Sequence, residues 1–231
     1  MVFLVNICYN IDALGGDGYM VFNKILMKLK RSLQKPLKKL RQNSDSKKNK
    51  NKDFSIISNN CWGGFVYQHL KLDYKTPFIG LFLLPDDYIK LLNNLEYYLG
   101  CNLKFTDNPK HVAKVDGKEY PVGILDDVEI YFMHYKSKEE ALEKWNRRVK
   151  RLNFNNLFIV FAETKLCSKT NIDEFNKVKY KNKICFTAKK YNYNNFIYLK
   201  SYNKQGYLSP DYMEKYHKYF DVVQWLNNCN N

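Results

Sequence analysis

The chain has 231 residues, of which 45% are hydrophobic, 16% aromatic and 26% charged, enough apolar material for a sizeable core in one large or two small domains. That composition excludes wholesale disorder and a collagen-like fibre, and Lys, Asp, Asn or Glu interrupts every apolar run before the ~20 residues that cross a bilayer. The net charge of +15 is unevenly placed: Met20 to Lys52 carries twelve Lys or Arg against the single Asp45, a local +11, whereas residues 1 to 19 carry −2 and residues 53 to 231 only +6. With five arginines in the whole chain, where base reading favours Arg, no nucleic-acid partner is expected.

The six cysteines, Cys8, Cys61, Cys101, Cys167, Cys185 and Cys229, contain no C-x-x-C pair, so they read as free thiols in a reducing cytoplasm. Asp12 and Asp17 lie among the first twenty residues, which lack a basic leading region, and this argues against a signal peptide.

In chain order, Phe22, Ile25, Leu26, Leu29, Leu33, Leu37 and Leu40 recur at steps of three and four with lysines mostly on the other faces, the pattern of a basic amphipathic helix. Its stripe and its lysines together suit an anionic membrane surface, contacted through residues 22 to 41. Pro36 is expected to kink or end it, and the polar run Asn43 to Lys52 reads as a solvated linker. Residues 1 to 52 are therefore an N-terminal extension, and residues 53 to 231 the folded domain. Phe54 to Ser58 reads as a buried strand, followed by a glycine turn and a helix through Phe65, Val66 and Leu70. Pro77 to Leu84 reads as a second strand, and Pro85 to Leu99 as a helix stopped by Gly100. A loop to Tyr120 precedes two strands, Val122 to Leu125 and Val128 to Tyr135, joined at Asp126 and Asp127. Ser137 and Glu140 form a capping box that opens a helix with Ala141, Leu142, Trp145, Val149 and Leu152 on one face. Leu157 to Ala162 is a strand, Ile172 to Val178 a helix and Ile184 to Thr187 a strand. This alternation predicts an α/β fold with a mostly parallel, Rossmann-like sheet and flanking helices.

Four groups of residues are candidates for chemistry. Ser58-Asn59-Asn60-Cys61-Trp62-Gly63-Gly64 lies where a strand hands over to a helix, a place where backbone amides suit phosphate or a thiolate. Asn59, Asn60, Trp62, Gly63 and Gly64 are thus candidate substrate-binding residues, and Cys61, if it points outward, is a nucleophile of lowered pKa. Asp126 and Asp127 at the strand junction are candidate catalytic carboxylates, with Asp127 and Glu129 able to hold Mg²⁺ or Mn²⁺ on a nucleotide diphosphate. His134 is a candidate base for Cys61. Arg147 and Arg148, beside Trp145, are a candidate phosphate or carboxylate clamp. Each has a plainer reading: packing for the glycine turn, turn formation for the Asp pair, a hydrogen-bonded structural histidine, and a solvated helix face.

In the segments S-N-N-C-W-G-G, T-P-F-I-G-L-F (Thr76 to Phe82), Y-P-V-G-I-L-D-D-V-E-I-Y-F-M-H-Y (Tyr120 to Tyr135), A-L-E-K-W-N-R-R (Ala141 to Arg148) and K-I-C-F-T (Lys183 to Thr187), the chain resembles the family called domain of unknown function nineteen-nineteen. The resemblance covers about Asp53 to the C-terminus. Members of that bacterial family are commonly labelled exopolysaccharide biosynthesis proteins, so the resemblance implies an α/β fold and a setting in capsule or surface-glycan assembly. It transfers no catalytic residues. The resulting expectation is a cytoplasmic transferase, peripheral on the inner face of the plasma membrane, acting on a nucleotide-sugar or lipid-linked glycan. A thiol-dependent acyltransferase and a non-catalytic accessory protein are the alternatives.

Overall fold

The computed structural model describes residues 35–111, 114–115 and 118–228. The chain divides into two compact units, Met1–Lys47 and Lys48–Asn231. In the first, the amphipathic helix expected from Phe22 lies outside the described residues as far as residue 34. Residues 35–48 are helical throughout (α1), with Pro36 at the start of the described segment, so whether it ends the helix expected from Phe22 lies outside the described residues; the run read as a linker is helical to Lys48. Polar residues suffice for helix here because none of positions 37–48 is Gly or Pro.

The second unit opens with Asn49 to Asn51 held close rather than solvated. The Asn51 side chain donates to the Leu226 carbonyl at 2.9 Å, and the Asn227 side chain accepts from the amides of Lys50 at 2.8 Å and Asn51 at 3.2 Å. From there the elements are β1 (Ser55–Ser58), α2 (Trp62–Leu70), α3 (Pro85–Asn93), α4 (Leu95–Gly100), β2 (Lys104–Thr106), β3 (Lys114–Val115), β4 (Lys118–Glu119), β5 (Val122–Leu125), β6 (Val128–Tyr131), α5 (Lys138–Val149), β7 (Leu157–Ala162), α6 (Lys169–Lys177), β8 (Lys183–Thr187), β9 (Phe196–Tyr198), α7 (Tyr212–Lys215) and α8 (Val222–Asn227).

The main sheet has the order β1-β7-β8-β9 and is parallel at every pairing, with Ile57 opposite Ile159, Val160 opposite Ile184 and Phe186 opposite Ile197. Its strands are apolar on both faces, as a sheet covered on two sides requires. Successive residues enter different cores: Ile56, Phe158 and Val160 join Trp62, Val66, Phe186 and Leu226 on one face, while Ile57, Ile159 and Phe161 join Tyr88, Leu91, Trp145 and Phe175 on the other. Each such side chain, fully buried, contributes about 1.5–3 kcal/mol of transfer free energy. The α/β fold with its flanking helices is the one expected from the sequence.

The hairpin β5–β6 is not part of that sheet. It forms a second, antiparallel sheet of order β2-β5-β6, with Leu125 opposite Val128 across the Asp126-Asp127 turn. Residues 77–84, read as a strand, are irregular: Gly80 sits at φ +69° and only Phe82 bridges to Tyr131. Strand geometry cannot pass through that left-handed position. The helix expected over Pro85 to Leu99 is broken at Asn94 into α3 and α4, and β6 ends at Tyr131, four residues short of the expected strand. Half of the capping box expected at α5 is present: the Ser137 hydroxyl accepts from the Glu140 amide at 3.2 Å, but the Glu140 carboxylate accepts from the Lys136 amide at 2.7 Å instead of that of Ser137.

Candidate functional site

At the carboxyl end of β1 the side chains are occupied with one another. Asn59 pairs with Ala162 through both amide atoms, accepting at 3.0 Å and donating at 3.2 Å, and so extends the β1–β7 pairing by a side chain. Asn60 accepts from the Trp62 amide at 3.0 Å and donates to the Tyr212 hydroxyl at 2.9 Å; the Ser58 hydroxyl accepts from the Gly63 amide at 3.4 Å. Two of the helix N-terminal donors expected to face a ligand are therefore already capped. Trp62 is buried against Phe186 and Tyr216, each 5.2 Å away. A Cβ on Gly63 would meet Ile56 Cγ2 at 2.9 Å, so that glycine exists to let α2 lie on β1; one on Gly64 would make only ordinary contact with Ile79, at 3.5 Å. The main sheet adds β7, β8 and β9 in sequence order, so the reversal of strand order that opens a ligand crevice does not occur within it.

Three consecutive carbonyls, those of Ile79, Gly80 and Leu81, gather the other candidates from this end. Leu81 accepts from the Cys61 thiol at 3.7 Å, Gly80 from the His134 amide at 3.1 Å, and Ile79 from the Tyr135 hydroxyl at 2.6 Å. Arg148 donates in turn to the Tyr135 hydroxyl at 2.6 Å, and its guanidinium lies 5.2 Å from the ring centre of Tyr74. Cys61, His134 and Arg148 thus share one segment. Cys61 lacks a lowered pKa: burial pushes its thiol up to about 11, against a smaller opposite effect of the Gly80 and Leu81 backbone hydrogen bonds. Arg147 points elsewhere, exposed and paired with Glu143 at 3.0 Å.

Asp126 and Asp127 lie at the other end of β6, whose four residues span roughly 13 Å. Asp126 adopts φ +54°, a left-handed turn conformation that Asp tolerates. Its carboxylate accepts from Tyr97, at 2.8 Å; that of Asp127 accepts from Lys90 at 2.8 Å and Tyr98 at 3.0 Å, and the Lys90 bond foremost holds Asp127 below the usual carboxylate range. Glu129 is buried and accepts from the Lys110 amide, at 3.0 and 3.2 Å, and from the Tyr131 hydroxyl. The donor set does not fit Mg²⁺ or Mn²⁺, because Asp127 and Glu129 are turned to separate ammonium, hydroxyl and amide donors. Among the described residues no group of three or more His, Cys, Asp and Glu is placed to hold a metal ion.

The Glu129 contacts belong to a feature invisible in the sequence. Lys110 donates to both oxygens of buried Asp87, at 2.9 and 3.0 Å, and to the Asp127 carbonyl at 2.9 Å; Asp87 also accepts from the Glu129 amide at 2.9 Å. The His111 amide donates to the Tyr131 hydroxyl at 3.0 Å. Two buried carboxylates, each satisfied, fix the Lys110-His111 corner against β6. That corner walls an open recess of about 700 Å³, lined also by Thr106, Asp107, Glu119, Tyr120, Lys136, Ser137 and Lys138. Lys138 reaches Asp107 at 2.7 Å. The cavity offers the cations Lys136 and Lys138, the imidazole of His111, the carboxylates of Asp107 and Glu119 and the ring of Tyr120. The available sequence signal was K-H and K-S-K on either side of the hairpin, and it gains meaning only once β2 pairs with β5.

Over residues 32–227 the chain matches the family described as Domain of unknown function (DUF1919). The match begins upstream of Asp53, where the resemblance in the sequence was placed, and takes in helix α1. An uncharacterized protein of Haemophilus influenzae is 35% identical over 186 residues, which are 78% of this chain and 86% of that relative.

Proposed function

The chain belongs to the DUF1919 family, and from that premise we propose that it is a transferase of surface-polysaccharide assembly that takes a phosphate-bearing activated sugar. The single observation supporting this is the cavity between Lys110-His111 and Lys136-Ser137-Lys138. A sugar phosphate makes mixed demands: cations for its phosphate oxygens, carboxylates and hydroxyls for its ring hydroxyls, and an aromatic face for its C–H surface. Lys136, Lys138, Asp107, Glu119, Ser137 and Tyr120 supply each of these in one recess. The Asp87–Lys110–Glu129 contacts hold one wall still, so less ordering entropy is lost on binding.

The phosphate would lie toward Lys136 and His111. A polyprenyl-phosphate or nucleotide carrier fits this chemistry equally. For the first of these, the chain would work on the inner face of the plasma membrane. Leu37 and Leu40 are exposed on α1 beside Lys35, Lys39 and Arg41, a surface suited to anionic headgroups. The thiol alternative lacks the thiolate it needs at neutral pH.

The test is calorimetric titration of the full chain with a panel of nucleotide sugars and a short-chain polyprenyl-phosphate sugar. At least one should bind, and Lys136→Ala should weaken it ~10-fold or more, the loss typical of a charged hydrogen bond. Silence across the panel, together with unchanged surface polysaccharide in a deletion strain, would contradict the reading.

A further inference from the structure

Arg148 stands in the last turn of α5 and is only 9% exposed. Its neighbour Arg147 is exposed and has Glu143 as an ordinary partner one turn back. Arg148 has no such partner: among the described residues, no carboxylate lies within ion-pair distance of it. What holds it instead is the Tyr135 hydroxyl at 2.6 Å and the ring of Tyr74 beneath its guanidinium. An arginine that serves packing alone, at this depth, is expected to carry a carboxylate, because a charge removed from water without one is costly. The C-terminal end of α5 offsets part of that cost and the Tyr74 ring another part. Neither takes up the guanidinium's fork of N–H donors, of which the Tyr135 hydroxyl uses one.

From this geometry we propose a second binding site, for an oxyanion of the phosphate or carboxylate type, formed by the Arg148 guanidinium with Tyr135 and Tyr74 as its floor. The Tyr135 hydroxyl, which donates to the Ile79 carbonyl and accepts from Arg148, fixes the fork's direction. A planar fork so held meets two oxygens of one anion side by side, which an ammonium cannot do. The site lies on the 79–81 segment with Cys61 and His134, and its residues are distinct from those lining the Lys136 cavity. It stands on the partners of Arg148 alone and does not rest on the reading of that cavity.

The test is a thermal-denaturation series on the full chain with inorganic phosphate, acetate and chloride at matched ionic strength. Phosphate or acetate should raise the midpoint where chloride does not, and the one that does identifies the class of anion. Read in a Lys136→Ala background, which removes the cavity's own response, the remaining rise should persist when Arg147→Gln is added and vanish when Arg148→Gln is added, with Arg148→Lys retaining the charge yet binding ~10-fold more weakly. Should Arg148→Gln fail to fold, Tyr135→Phe is read instead, and it should weaken the anion response. Equal response to all three salts overturns the proposal, as does a response that Lys136→Ala alone abolishes or that survives Arg148→Gln in the Lys136→Ala background.

Discussion

Cys61 shows how far a residue's neighbours decide its chemistry. A cysteine beside a helix N-terminus invites a reading as thiolate, yet this one is half-buried and donates to the Leu81 carbonyl, and burial pushes its thiol up to about 11. The sign follows from the cause: burial disfavours the charged form, so reactivity rises only as pH climbs far above neutrality. We expect mass-spectrometric footprinting with iodoacetamide at pH 7.5 to leave Cys61 unmodified in the folded protein and to label it after unfolding. Rapid labelling at pH 7.5 would restore the nucleophile reading. The same dependence on neighbours hid Glu163, absent from the candidates drawn from the sequence. It is buried past the end of β7, where it accepts from the Ala188 amide at 2.7 Å and the Tyr191 hydroxyl at 2.8 Å, so it fastens the segment between β8 and β9.

At the scale of elements, apolar runs bounded by turn residues were legible, and β1, β7 and β8 stand close to where the sequence puts them. Their two-sided burial leaves a near-continuous hydrophobic run, a strong local signal. Residues 77–84 carry a similar run and are not a strand, because Gly80 turns left-handed, at a place where a Cβ would meet His134 at 3.3 Å and Tyr135 at 3.4 Å. Burial alone made them apolar. The opposite error concerned Asn49 to Asn51, whose polar character suggested solvent; their partners, Leu226 and Asn227, lie some 175 residues away, beyond any local pattern. Helix α6 offers a direct check on how elements are tied together. Buried Asn171 accepts at the Ser168 cap and also donates to Asp86 in the first turn of α3. Asn171→Ala removes the cap's return bond and the tie between helices together, and we expect a loss of about 2 kcal/mol in urea denaturation. A loss under ~0.5 kcal/mol would show that neither bond matters to stability.

For the unit Lys48–Asn231 as a whole, the two hydrophobic clusters share the strands β1 and β7, whose alternate residues feed one and then the other. Neither can be lost while the other keeps its wall. Trp145 reports on one cluster and Trp62 on the other. Fluorescence of variants retaining a single one of these tryptophans should therefore give coincident unfolding midpoints, and two separated transitions would show the clusters to be independent. The candidate site was legible least of all. Lys110, His111, Lys136 and Lys138 lie in segments that read as loop and helix start, and they meet because the β2-β5-β6 sheet folds one segment over the other. The measurement that goes most directly to the proposed function is hydrogen exchange of the full chain with and without a saturating nucleotide sugar. Protection should rise around the cavity, at residues 106–111 and 136–140, and leave the β1 carboxyl end at residues 58–64 unchanged; protection confined to residues 58–64, or none anywhere, would contradict it.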